Sequence, residues 1–347
     1  MRNFFEDNYL DIKLQRELVK LISEISEYKG KLFAYQENNP NIFNNLEKTI
    51  PLHYIKNFNT VFMDIKIPNK RLKELISNDM LPKTTEEDAV YCYYQALFLV
   101  QKKCHALPIN PETIQELHFQ LINYLTSDSA MWRKKEFIVP SVPEYGMHSS
   151  SYRPLSRKLI PQSVARLCEQ YNTLVANKEI HSLILIARFM LNLYCILPFD
   201  QGNRRLAFIL IQLLLIKNEH TFTKYVCLDK YLKKHESKYY ESIFKSSVNW
   251  YCSGHNISFW LKTFLTIILD AYRDLHLTVQ DSICRYTKIE RIQNFVFKQN
   301  NTFTKEDIRN VYPDIAESTI SKALAFLQSL GQIQLVSRGR KAQWVRI

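Results

Sequence analysis

The stretch ILPFDQGNRRLAFILIQLLL, residues 196–215, predicts more about this protein than any other part of its sequence. A loop containing Gly202 and Asn203 leads into Arg204 and Arg205, and an unbroken apolar run follows. Such a run is typical of a buried helix. The start of a helix carries partial positive charge, so acids are favoured there and cations are not. The two arginines therefore indicate a local function that outweighs this cost.

The loop before this helix has the features of an anion site. Gly202 allows close backbone approach or an unusual dihedral angle. Backbone N–H groups at the start of the next helix point outward and favour an anion. Arg204 and Arg205 add cations whose planar geometry suits phosphate. The alternative is that both arginines are simply solvated on the first turn.

The rest of the chain predicts a mainly α fold. Glycine is scarce, with 6 in 347 residues, and apolar residues recur at helical spacing. A helix over 84–103 has Thr85 as its cap, and one over 110–125 has Asn110. Further helices are predicted at 11–36, 51–78 with a break at Pro68, 161–177, 181–196 and 204–217, with two or three more to about 275. Residues 131–160 are rich in proline and serine and predict a loop or hairpin.

Composition restricts the class of protein. The length suits two or three units. A net charge of +12 favours anionic partners such as nucleic acid or nucleotides, although it also serves solubility. Seven scattered cysteines without C-x-x-C predict neither disulfides nor a zinc ribbon and fit a cytoplasmic location. The N-terminal residues lack a signal-peptide core, and residues 182–199 are interrupted by Arg188 and Asn192, so we expect no membrane partner.

Residues 281–347 differ from the preceding residues in charge and in their pattern of predicted elements. They carry 11 Lys and Arg against 6 Asp and Glu, a net +5. Three short helical pieces precede two strands around SRGRKA, an order that resembles a winged helix-turn-helix module. In that module the second helix of the motif meets base edges and wing cations meet phosphates. The resemblance implies DNA contacts by Ser318, Thr319, Ser321, Lys322, Arg338, Arg340 and Lys341. A protein-interaction or dimer module remains the alternative.

The opening stretch resembles the signature of the Fic family. That signature reads His-Pro-Phe, a variable residue, an acid, Gly-Asn-Gly-Arg, two variable residues and Arg. The matching residues are Pro198, Phe199, Gly202, Asn203 and Arg205. The preceding helices and the proline-rich hairpin also occur in the family's order. The resemblance implies an N-terminal helical region at 1–78, a Fic-type helical core at 79–275 with a β-hairpin flap, and a winged helix at 281–347.

The family resemblance implies transfer of a nucleotide, usually AMP from ATP, onto a hydroxyl of a target protein. The family's histidine is the general base, its acid holds Mg²⁺, and its Gly-Asn-Gly backbone and arginines bind phosphate. Gly202, Asn203, Arg204 and Arg205 are the implied nucleotide-binding residues here, with Pro198 and Phe199 as the motif core. The flap would capture a target protein by strand addition. A homodimer is expected by analogy.

This chain departs from the signature where the chemistry is done. Leu197 stands at the histidine position and cannot accept a proton, and general-base help is worth about 10²–10⁴-fold. Gln201 stands at the acid position and is a poor Mg²⁺ ligand beside a carboxylate. Asp200 is the nearest candidate metal ligand. Arg204 replaces the second glycine, and Phe208 replaces the last arginine.

Three functions are therefore open. The first is a Fic-like protein without AMP transfer that binds nucleotide or phosphate and regulates through a DNA-binding winged helix. The second is a structural protein-interaction module whose cleft is filled by Leu197, Arg204 and Phe208. The third is an active nucleotidyltransferase with altered chemistry. We expect the first, with the loss of the base as the argument against an enzyme.

Overall fold

A computed structural model of the chain describes most of its length. The described residues are 4–5, 16–58, 67–77, 80–125, 131–136, 154–285, 288–299, 301–337, 339 and 342–347. The chain divides into two compact units, Met1–His276 and Leu277–Ile347. The prediction of a mainly α fold with a small β element is confirmed.

The first unit is built from helices. Its α-helices are α1 Arg16–Asn38, α2 Pro40–Phe58, α3 Asn69–Ile76, α4 Thr85–Lys103, α5 Pro111–Ile122, α6 Ile160–Asn177, α7 Ser182–Ile196, α8 Asn203–Lys217, α9 Leu228–Lys234, α10 Glu236–Ser247 and α11 Ser258–Arg285, which continues past the unit boundary. Among the described helices, none has the length and apolar content that a bilayer span requires.

Helix α8 is the centre of this unit. Every side chain from Leu206 to Ile216 is buried, and α8 packs against α4, α5 and α7. A helix that is apolar on all sides must be enclosed by other elements. Helix α7 is also buried along most of its length. The loop between α7 and α8 is therefore fixed at both ends by the core.

Two helix starts differ from the sequence prediction. Thr84, and not Thr85, caps α4, since the Thr84 hydroxyl accepts from the Glu87 N–H at 3.3 Å. Helix α2 begins at Pro40 and runs through Pro51, which the sequence placed at a helix start. Burial of Ile42, Phe43, Ile50, Tyr54, Ile55 and Phe58 on one face of α2 outweighs the hydrogen bond that the proline cannot make.

The segment predicted as a hairpin is described only in part. Residues 131–136 and 154–156 are irregular, and a short 3₁₀ turn, Arg157–Leu159, leads into α6. No strand is present in these described pieces. Residues 137–153, where the flap was expected, lie outside the described residues.

The second unit combines three helices with a three-stranded antiparallel sheet. Its helices are α12 Lys288–Phe297, α13 Lys305–Val311 and α14 Glu317–Ser329, and its strands are β1 Phe303–Thr304, β2 Ile333–Ser337 and β3 Gln343–Arg346. The strand order is β1-β3-β2, with Phe303 opposite Trp344 and Ile333 opposite Arg346. Strand β1 was missed because two residues are too few for a periodic signal.

The core of the second unit is apolar. Its members include Ile292, Val296, Ile308, Ile320, Leu324 and Leu327. Thr304 caps α13 through a capping box with Asp307, which fixes the turn from β1 into that helix.

Candidate functional site

The loop from α7 to α8 has two residues in the left-handed backbone region. Leu197 ends α7 with φ +49°, and Gly202 begins α8 with φ +78°. A Cβ added to Gly202 would lie 2.9 Å from Ile122 Cγ2 and 3.1 Å from His118 Nε2. Only glycine fits there, so helix α5 sets the close approach that the sequence predicted.

Asn203 closes the loop through its side chain. Its Oδ1 accepts from the Phe199 N–H at 3.1 Å, and its Nδ2 donates to the Phe199 carbonyl at 2.7 Å. Two bonds between one amide side chain and the backbone N–H and carbonyl of one residue hold residues 199–203 as a tight turn. Gly202, at the N-cap, has no side chain to cap α8.

Phe199 fixes the loop to the core beneath it. Its ring is fully buried and stacks on His118, with centroids 3.6 Å apart, and packs against Trp132 at 5.2 Å. His118 Nε2 lies 2.8 Å from the Gln201 carbonyl, which can only accept, so Nε2 donates. Pro198 is buried as well. These two motif residues therefore shape the loop and do not face a ligand.

Arg133 is a buried cation next to the loop. Its side chain is fully buried, and its Nε donates to the Leu197 carbonyl at 3.0 Å. Its backbone N–H donates to the Pro198 carbonyl at 2.8 Å. Its Nη1 donates to the Lys135 carbonyl and to Glu136 Oε2 at 3.3 Å, and its Nη2 donates to the Leu155 carbonyl. This arginine joins three segments of backbone around the loop.

Asp200 is held by the same segment. Its Oδ2 accepts from the Lys134 N–H at 3.1 Å, and its Oδ1 accepts from the Lys135 N–H at 3.2 Å. Both carboxylate oxygens are thus used in fixing the backbone. No group of three or more His, Cys, Asp or Glu that could hold a metal is found in the described parts of the chain.

Arg204 is paired with an acid from a distant helix. Its Nη2 donates to Glu236 at the start of α10, and its guanidinium lies over the Tyr240 ring at 5.4 Å. Lys233 also donates to Glu236, at 2.6 Å. Burial raises the pKa of Glu236, but the Lys233 hydrogen bond and the Arg204 charge outweigh it, so the pKa is lowered. The carboxylate missing from the first turn of α8 is therefore supplied by tertiary structure.

Arg205 points toward α2 and α5. Its Nη1 donates to the Tyr124 hydroxyl just after α5, and its guanidinium lies 5.5 Å from the centre of the Phe58 ring. Arg205 is half-buried. The two adjacent arginines thus diverge, one to Glu236 and the other to an aromatic pair.

The remaining positions do not supply acid–base groups. Leu197 is half-buried, Gln201 is exposed, and Phe208 is 2 % exposed, with its ring 6.3 Å from that of Tyr239. A leucine, an amide and a phenyl ring cannot take a proton from a hydroxyl.

The start of α14 exposes part of the residue set predicted for DNA. Ser318 and Lys322 are exposed, whereas Thr319 and Ser321 are half-buried. The Ser321 hydroxyl donates to the Glu317 carbonyl and accepts from Lys305 Nζ at 2.8 Å. Arg338, Arg340 and Lys341 lie outside the described residues.

Four site residues were missed by sequence reasoning. They are His118, Tyr124, Arg133 and Glu236. His118 lies on the apolar face of α5 and Arg133 in a proline-rich stretch, where nothing local marks them. Glu236 is 32 positions from its partner Arg204. Local patterns carry no information on such distant pairs.

Comparisons with known proteins give a family for the central region. Residues 108–215 match the model of the Fic/DOC family. None of the curated proteins matches the chain significantly.

Several solved structures have a similar fold. A crystal structure of a Fic family protein from Desulfovibrio desulfuricans G20 has a TM-score of 0.59 at 15 % identity, over 96 % of each chain. A Fic domain containing signaling protein from Bacteroides thetaiotaomicron VPI-5482 has a TM-score of 0.57 at 14 % identity, over 78 % of this chain and 100 % of that one. Fic-1 from C. elegans reaches 0.52 at 15 % identity, over 78 % and 73 %. The expected helical fold is thereby confirmed, and residues 108–215 form a Fic/DOC family domain.

Proposed function

We propose that this chain is a Fic-type regulator that binds a phosphate-bearing ligand at the start of α8 without transferring a nucleotide. The observation that supports binding is the left-handed Gly202, which opens a helix without a side-chain cap. Backbone N–H groups and the helix dipole favour an anion at such an end. Arg204 and Arg205 border it, and both remain partly accessible.

The absence of nucleotide transfer is inferred from three side chains. Leu197, Gln201 and Phe208 occupy the positions that the family resemblance assigns to the base, the metal-binding acid and the last arginine. Asp200, the remaining acid of the loop, uses both oxygens on backbone N–H groups. The ligand class is therefore a nucleotide or another phosphate compound, with ATP as the first probe and no part assigned to Mg²⁺.

The test is calorimetric titration of the full chain with ATP, with and without Mg²⁺. Binding that is lost in Arg205→Ala and kept in Arg166→Ala, a half-buried arginine of α6, would support the site. Radiolabelled ATP then tests transfer. Label on the chain or on added protein would contradict the proposal and favour an active transferase.

A second candidate function is a structural interaction module. It is favoured by Glu236, which neutralises Arg204 within the chain, and by the burial of Phe208. An ion pair already made inside the protein must be broken before Arg204 can bind a ligand. No heat and no thermal shift at millimolar ATP would select this candidate. A target protein at the flap and a homodimer belong to it as further proposals.

We further propose that the second unit binds DNA. The support is the order of α12, β1, α13, α14, β2 and β3, together with the exposed Ser318 and Lys322 near the start of α14. This order resembles that of a winged helix, a module in which the helix corresponding to α14 enters the major groove. Anisotropy of a labelled duplex across a salt series tests it, because phosphate contacts give a steep salt dependence. If the protein does not bind the duplex at 50 mM salt, the proposal of DNA binding is wrong.

A further inference from the structure

Leu197 adopts a backbone conformation that its side chain disfavours. Its φ of +49° and ψ of 71° lie in the left-handed region, where the Cβ of an L-residue approaches the following carbonyl oxygen. Leucine has no short polar group that could stabilise this conformation locally, unlike asparagine or aspartate. The Leu197 N–H donates to the Leu193 carbonyl at 2.9 Å, so α7 supplies one constraint at this helix end. Such strain persists only where the surroundings over-determine it, and the carbonyls that follow take their partners from another segment.

Arg133 makes the bonds that can do this. Its Nε donates to the carbonyl of Leu197 itself, and its backbone N–H donates to the carbonyl of Pro198. These two consecutive carbonyls follow directly after the left-handed dihedral angles. The guanidinium is fixed in turn by the carbonyls of Lys135 and Leu155 and by the Glu136 carboxylate, and its plane allows several donors to act at once.

We infer that Arg133 is a positioning residue that holds Leu197 in the left-handed conformation and so sets the backbone path into Gly202 and α8. Its burial keeps these bonds away from water, where each unmade bond would be costly. Asp200 ties the same segment to the loop through the Lys134 and Lys135 N–H groups. The effect on anion binding rests on the proposed function, whereas the effect on the backbone does not.

The experiment compares Arg133→Lys in two glycine backgrounds. Lysine keeps the charge but has a single ammonium that cannot replace the planar fork. Leu197→Gly removes the left-handed penalty at the position that Arg133 is inferred to hold. Lys178→Gly is the matched control, because Lys178 is also left-handed, with φ +57°, but ends α6. Unfolding midpoints and ATP affinities are measured for the wild type and all combinations.

We expect Arg133→Lys to weaken ATP binding about fivefold to thirtyfold and to lower the unfolding midpoint. Leu197→Gly should restore most of both losses, and Lys178→Gly should restore neither. If Arg133→Lys alone does not fold, recovery of folded protein only in the Leu197→Gly background supports the same inference.

Equal recovery, or none, in the two glycine backgrounds would overturn the inference, because a general packing role of Arg133 does not distinguish residue 197 from residue 178. If the wild type binds no ATP, the proposed function fails, and the unfolding midpoints alone still decide the role of Arg133.

Discussion

The two units of this chain differ in whether they bury polar side chains. Within the described residues, every buried polar or charged side chain belongs to the first unit, from Gln101 to Ser246. Arg133, His118, Asn192 and Asp229 are among them. Among the described residues of the second unit, the buried core is made of apolar side chains alone. The start of α8 is accordingly fixed by side chains from other helices, whereas the start of α14 presents polar residues to solvent.

This difference in buried polar groups indicates different uses for the starts of α8 and α14. Buried polar groups are costly unless they are bonded, so a network of them selects one backbone arrangement. The loop before α8 has that rigidity, which suits a site of fixed shape. An apolar core specifies a fold without restricting the surface above it. Exposed residues of α14 can therefore change without loss of the second unit.

The largest expected effect is a loss of unfolding free energy that differs between two left-handed glycines, Gly202 and Gly331. In Gly202→Ala, the new Cβ meets Ile122 and His118 and the backbone is strained, so we expect a loss of about 3 kcal/mol in unfolding free energy. Gly331 has φ +69° but nothing within 4 Å of a Cβ, so Gly331→Ala should cost about 1 kcal/mol. Urea denaturation measures both. Equal losses of unfolding free energy in the two variants would contradict the close packing of α5 against Gly202.

The next effect concerns Asp229, a fully buried acid of α9. Tyr93 donates to its Oδ2, and its Oδ1 has no partner among the described residues. Burial raises the pKa of Asp229 to about 7, against a lowering by the Tyr93 hydrogen bond. The folded state then holds a proton that the unfolded state releases near pH 4, so stability should fall as pH rises from about 4 to about 7 and stay level above.

Asp229→Asn should remove this pH dependence and raise the unfolding free energy above pH 7 by on the order of 2 kcal/mol. Thermal unfolding across pH 4–8 measures it, with Glu116→Gln, an exposed acid of α5, as the control. A wild-type stability that rises with pH through this window would show that Asp229 is ionised and stabilised in the folded chain.

A smaller effect compares polar residues that organise a helix start in each unit. Asn203→Ala removes both bonds to Phe199 and should cost about 1–2 kcal/mol, because they lie in a half-buried loop. Thr304→Ala removes one side of the exposed capping box of α13 and should cost about 1 kcal/mol. A larger loss for Thr304→Ala, by denaturant unfolding, would reverse the contrast between the units.

The smallest effect on stability is expected at Lys322. Since this side chain is exposed on α14, Lys322→Ala should leave the unfolding midpoint unchanged. It should lower the slope of log affinity for duplex DNA against log salt by about 1. Lys288→Ala, an exposed lysine of α12, is the control and should keep the slope. Identical slopes in the two variants would remove α14 from the DNA contact.

Much of the fold follows from local patterns. The unbroken apolar run after Arg205 predicts a buried helix, and α8 is buried from Leu206 to Ile216. Asn110 predicts the start of α5, and its side chain accepts from the Thr113 N–H. The prediction that a helix begins at Pro51 was wrong, because a proline at a helix start and one inside a helix cannot be told apart in the sequence. The packing of α2 decides between them.

In the candidate site too, some features follow from the sequence and others from how the helices pack. The α7–loop–α8 order, the freedom that Gly202 has for a close approach or an unusual dihedral angle, and the absence of a proton acceptor at Leu197 can all be predicted from the sequence, since they depend on neighbouring residues and side-chain chemistry. Packing of the folded chain is what brings Arg204 to Glu236 and Arg133 to the Leu197 carbonyl. Those contacts join residues 32 and 64 positions apart, and a distance of that kind is set by how helices pack.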